Sequence, residues 1–138
     1  MPVKTLADLS KKMREIDFAM LSTHSDGGTI AGRPMSNNGQ VEYKGDSYYF
    51  TYDHFRTVSD IERDPKVALA FQGKDAFFVN VEGVAELIKD KSQFKQHWTD
   101  GLDRWFPDGV DTKGLTLIKV RATRIHWWDG ETDGEIKP

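Results

Sequence analysis

Arg33 and Pro34 stand side by side in IAGRPMSNNG, residues 30–39, between two stretches, FAMLSTH and DSYYFTY, that read as half-buried strands. Proline has no N–H for a sheet ladder and is confined to strand starts, bulges or edges. An arginine beside it either faces water or meets an anion. Further on, Thr51 ends a strand and Arg56 opens a helix, where unpaired N–H groups and the helix dipole favour negative charge. A hydroxyl, a guanidinium and a helix start are the parts of a phosphate cup, and the backbone of residues 33–36 would supply its wall. The same residues also describe an edge proline, a solvated arginine and an ordinary helix start, and periodicity alone leaves both readings open.

A second group with chemical potential is aromatic: Trp98, Trp105, Phe106, Trp127 and Trp128, in a chain with four tryptophans and eight phenylalanines. Flat rings suit a flat heterocycle, but for most of these residues a small core or a subunit interface is the better reading. Trp127 and Trp128 are neighbours on a strand, so they point to opposite faces. The four histidines, His24, His54, His97 and His126, stand at no metal-binding spacing, and no metal site is expected. No G-x-S-x-G elbow nominates a nucleophilic serine. DGGTIAGRP holds neither a dinucleotide fingerprint nor a P-loop, and it joins two strands rather than a strand and a helix.

The elements that must position these residues follow from period and punctuation. Thr5 and Asp8 make a capping-box start for a helix over residues 5–16, with Leu6, Leu9, Met13 and Ile16 on one face. Strands are expected at 17–24 and 29–37, and a hairpin over 40–52 turning at Gly45-Asp46. A short helix over 56–64 stops before Pro65. KVALAFQ, residues 66–72, is apolar enough to be buried on both faces. A long strand over 76–90 carries Gly83 as a bulge or corner. A helix over 91–102 and an aromatic loop lead to a last strand at 115–128, and residues from about 130 to 138 read as a loose polar tail. Six or seven short, mostly antiparallel strands with short flanking helices give an α+β, mainly β class and a closed or nearly closed barrel.

The totals bound what such a barrel can do. At 138 residues the chain suits one domain with one core. A net charge of −3 argues against a nucleic-acid binder with a broad basic face. Cysteine is absent, which excludes disulfides, thiolate nucleophiles and cysteine-held metal or iron–sulfur sites. A mean hydropathy of −0.60 and the lack of a long apolar run argue against a membrane span and make the cytoplasm the expected location.

Three pieces, in this order and spacing, resemble the pyridoxamine-phosphate-oxidase-like FMN-binding split barrels, and more narrowly their general stress protein 26 branch. They are GRPM, then YYFTY…RTVSDIERDPKVALAF, then VNVEGVAELIKD. HWTDGLDRWFPDGVD and IHWWDG resemble the tryptophan landmarks of that branch. The resemblance runs from about residue 5 to about residue 129. It implies a split-barrel homodimer with FMN, or FAD as an alternative, in clefts between subunits. It also implies that the R-P-M strand lies along the flavin ring with its backbone. Carried over by position, the cofactor-binding residues are Arg33, Pro34, Met35 and Ser36, then Phe50 and Thr51, then Arg56 and Thr57, with Trp128 from the last strand. Phe55 stands where the pattern has serine and Thr57 where it has lysine, so two phosphate ligands are replaced. No catalytic acid or base is evident, although His24, Tyr52 and His54 fall near the expected cleft mouth. The resemblance implies a flavin-dependent oxidoreductase on an unknown small molecule. A flavin reservoir or sensor without turnover, or a barrel that has lost flavin, are the alternatives.

Overall fold

A computed structural model describes residues 3–37 and 42–138. Its first helix, α1 (Leu6–Met13), opens with the expected capping box: Asp8 N–H donates to Thr5 Oγ1 at 3.1 Å, and Thr5 N–H donates to the Asp8 carboxylate at 3.1 Å. The chain then enters β1 (Phe18–His24), turns through residues 25–29, and returns as β2 (Ile30–Ser36). β3 (Asp46–Tyr52) leads to α2 (Arg56–Arg63), which ends before Pro65 as expected. β4 (Lys66–Gln72) and β5 (Phe77–Ile88) form a hairpin, and α3 (Lys91–His97) with a loop precedes β6 (Leu115–Asp129) and β7 (Thr132–Ile136).

All seven strands join one antiparallel sheet in the order β2-β1-β4-β5-β6-β3, with β7 also paired to β6. Glu82 of β5 faces Arg124 of β6 while Gly83 faces Ala122, so Thr123 is the extra residue of a bulge. A Cβ on Gly83 would lie 2.8 Å from the Arg121 carbonyl oxygen, which explains the glycine at this bend. The curled sheet wraps Leu21, Leu69, Val81, Val120 and Ile125 into one core. A smaller core of Phe50, Phe94, Phe106, Leu115 and Leu117 lies on the other side of β3, under α3 and the loop after it.

Four sequence expectations are corrected. No hairpin turns at Gly45: residues 42–45 form no strand, residues 40–41 lie outside the described ones, and β3 pairs with distant β6. β4 is not buried on both faces but alternates, with Val67, Leu69 and Phe71 inside and Ala68 and Ala70 outside. The expected helix over 91–102 stops at His97, and a 3-10 turn at Asp100–Leu102 follows it. The tail is not loose: β7 covers the half of β6 that β3 leaves unpaired, from Ile125–Ile136 to Asp129–Thr132. Gly134 lets this happen, because a Cβ there would meet the Trp127 indole at 2.9 Å.

The sheet curls but does not close. Among the described residues β2 pairs only with β1 and β3 only with β6, so the order ends at these two strands and their outer edges are unpaired there. Pro34 sits on edge strand β2, where a missing N–H is tolerated.

Candidate functional site

Between those edges lies a cleft of about 1430 Å³. One wall is β2 from Gly32 to Ser36, the other is β3 from Asp46 to Tyr52. The start of α2 closes one end with Phe55, Arg56 and Thr57, and the loop after α3 brings Trp98, Arg104 and Trp105. Period two decides which β3 side chain meets which layer. Tyr49 belongs to the barrel core, whereas Phe50 packs with Phe94, Trp98 and Phe106 at ring distances of 5.0–6.4 Å. Thr51 shares the Tyr49 side.

The anion-binding parts gather at the start of α2. Phe55 occupies the cap position and offers no side-chain cap to the first N–H groups. Thr51 and Thr57 are each 6% exposed and line the cleft. Arg56 is exposed, lines the cleft, and forms no ion pair among the described residues. Phe55, where the resembled pattern has serine, lines the cleft beside them. Its ring lies against Tyr52 at 5.5 Å and His54 at 4.8 Å.

Arg33 is placed differently from a free anion ligand. It lies opposite Leu21 on the inner face of β2, and its guanidinium turns inward to α2. Nη1 donates to Thr23 Oγ1 at 2.7 Å and to the carbonyls of Ala31 at 3.2 Å and Leu21 at 3.3 Å. Nη2 is 3.5 Å from the Asp60 carboxylate. Asp60 is wholly buried and accepts from the hydroxyls of Thr23 at 2.8 Å and Ser25 at 3.1 Å, and from Arg63 at 3.1 Å. Burial pushes its carboxyl up, but the two hydroxyl donors and the two arginines outweigh that and hold it below the ordinary range. Burial lowers the Arg33 guanidinium from its usual value, Asp60 opposes the shift, and the nearby Arg56 charge adds to it.

Of the other expected ligands, Pro34, Met35 and Ser36 line the β2 wall, with Met35 packed against the core. Trp128 does not line the cleft: it is 40% exposed on the outer face of the sheet, stacked 4.3 Å from His126, while Trp127 is buried. Tyr52 lines the cleft, and His24 and His54 do not. Two residues escaped the sequence reading. His97 lines the cleft, stacked on Tyr48 at 3.7 Å, and burial with the Lys119 charge holds its imidazole below the ordinary range. Asp60 was the other, although an acid sharing a helix face with Thr57 and Ile61 is a signal for a buried paired charge. Among the described residues no cluster of histidine, aspartate and glutamate could hold a metal.

A sheet that curls this far and stops with two free edges is a split barrel. Residues 4–137 match the model of the pyridoxamine 5'-phosphate oxidase-like family, and the chain belongs to that family. No curated protein matches the sequence. Among solved structures, a Clostridium acetobutylicum protein related to general stress protein 26 is similar at 18% identity and a TM-score of 0.83, over 96% of this chain and 93% of that one. A general stress FMN/FAD binding protein from Xanthomonas citri is similar at 19% identity and a TM-score of 0.77, covering 92% and 89%. A heme binding protein from Mycobacterium smegmatis has a TM-score of 0.77 at 13% identity, covering 99% of this chain and 60% of that one. No helix among the described residues is long and apolar enough to cross a membrane.

Proposed function

We propose that this chain is a cytoplasmic flavoprotein of the general stress protein 26 type, which holds FMN, with FAD as a possible occupant, between β2 and β3. The observation that carries the reading is the placement of an uncapped helix start, Arg56 and two threonine hydroxyls at the end of a slot walled by two unpaired strand edges. That donor set fits the group. Thr51, Arg56, Thr57 and the first N–H groups of α2 suit a phosphate, and the backbone edge of β2 suits the polar rim of a flavin ring. The solved relative named as an FMN/FAD binding protein supports the same occupant.

When bound, the flavin would supply the capacity to accept and return a hydride or single electrons. The chain's own residues would orient it, with Arg56 neutralising the phosphate and the β2 backbone setting the ring. The Tyr48–Trp98–Phe106 layer would keep water from one side of the slot. His97 lines the cleft, and burial with the Lys119 charge holds its imidazole below the ordinary range.

We also place a second copy of the chain on the outer face of the sheet. Met20 lies across from Pro34 on one side and Ala70 on the other, and Phe78 lies across from Trp128. Phe18, Met20, Phe78 and Trp128 are 40–53% exposed. An apolar sheet face of this kind is unusual on a monomer. The cleft itself runs onto this face at Phe18, Pro34 and Ser36, which supports a flavin bound between subunits.

Titration of the purified protein with FMN, FAD and riboflavin, followed by flavin fluorescence, tests the binding reading. FMN should bind more tightly than riboflavin, and Arg56→Ala should weaken FMN about tenfold or more, the worth of one charged hydrogen bond, while leaving riboflavin unchanged. A protein that ignores all three flavins would falsify it.

A further inference from the structure

We propose that Asp60 is a positioning residue that reserves the Arg33 side chain for the barrel interior, so that Arg33 serves a bound flavin through the β2 backbone alone and phosphate recognition falls to Arg56. The inference rests on the flavin reading and goes beyond it by naming the residue that holds the Arg33 side chain away from the phosphate.

The geometry carries it. Arg33 Nη1 already has three oxygen acceptors within 3.3 Å, and Nη2 faces a carboxylate with no exposed surface. Thr23 Oγ1 accepts from Arg33 and donates to Asp60, so the hydroxyl links the two charges in one chain of hydrogen bonds. Charges balance inside the group: Arg33 and Arg63 stand against Asp60 and Asp26, with Arg63 and Asp26 meeting at 3.1 Å on the surface. Arg56 lines the cleft and forms no ion pair among the described residues, although its charge is felt by Arg33. If Arg33 swung out to a phosphate, a buried carboxylate would lose one of its two cations, and breaking such pairs is strongly unfavourable. The group also ties three elements together, since Thr23 is on β1, Arg33 on β2 and Asp60 on α2. The distance between the β2 wall and the helix start that forms the cup is thus set by Asp60.

The test is the ratio of FMN to riboflavin affinity, because only phosphate recognition changes it. Arg33→Met and Asp60→Asn should weaken both ligands in equal proportion and leave the ratio within about twofold of wild type. Arg56→Ala should abolish about tenfold of the ratio. Visible circular dichroism of the bound flavin should change in Asp60→Asn, reporting a shifted β2 wall, which simple loss of stability would not produce. If Arg33→Met does not fold, the paired Arg33→Met/Asp60→Asn chain removes both charges and is measured in its place. A ratio that collapses with Arg33 as it does with Arg56 overturns the inference while leaving flavin binding intact. A wild-type protein that binds no flavin overturns both.

Discussion

At the scale of single residues, the chain places its unusual chemistry where geometry isolates it. Asp60 is a wholly buried acid whose carboxyl sits below its ordinary range. As pH falls, the unfolded chain takes up the proton first. The stability from the Arg33–Thr23–Asp60 group is therefore complete above about pH 4 and is lost as pH drops through the lower folded value. Asp60→Asn should be less stable than wild type at neutral pH, by about 3 kcal/mol. Its denaturation midpoint should also change less than that of wild type as pH is lowered below about 4. Urea titrations across that range read both effects, and identical pH slopes in the two proteins would contradict the account. Gly83→Ala sets a different test. Its Cβ would meet a backbone carbonyl at 2.8 Å and Val120 Cγ1 at 2.9 Å, so a loss of about 1–3 kcal/mol is expected in thermal melts. The inward turn of Arg33 was within reach of period-two reasoning, since Ala31, Arg33 and Met35 share a face opposite Pro34. What alternation does not reveal is the acceptor waiting there, because Asp60 arrives from a helix 27 positions further along.

Elements were legible where their signals are local. The Thr5–Asp8 capping box, the Gly83 bulge and the stop before Pro65 are each written in a few adjacent residues, and each is in place. Pairing partners are not local, and there the reading failed. Gly45 does adopt a positive φ of 103°, as a turn residue should, yet the strand that follows it joins β6, some 70 residues later. β4 looked doubly buried because alanine is apolar; Ala68 and Ala70 are small outward residues on the face where we propose a second copy. The tail looked too polar to fold, but the β6 edge offers it a ladder, and Ile136 packs on the core. Removing residues 132–138 should uncover Ile125 and Trp127 together. The shortened chain should show a red-shifted tryptophan emission and a lower melting temperature, whereas an unchanged spectrum would mean that β7 protects nothing.

For the molecule as a whole, the cleft and the apolar outer face meet along β2. Met20→Glu and Phe78→Glu place charges in the middle of that face without touching the core. Sedimentation equilibrium should show a dimer for the native chain and a monomer for the double variant, with flavin affinity falling alongside. A monomeric native chain that still holds flavin would mean that one subunit completes the site. The fold class was legible because many short strands in a small chain leave few alternatives. That the barrel would stay open was legible in Pro34 and in the resemblance to split barrels, but its width depends on contacts that no single stretch encodes.

The open slot has a consequence for the life of the protein before any ligand arrives. Two bare strand edges face one another across the cleft, and each is a template for an extended segment of another chain. A newly made molecule is thus exposed to strand exchange and fibril growth until something narrow and polar occupies the gap. On the proposed flavin reading, supply of the vitamin precursor would then govern how much of the protein survives folding in the cell, and starved cultures should accumulate it in inclusion bodies.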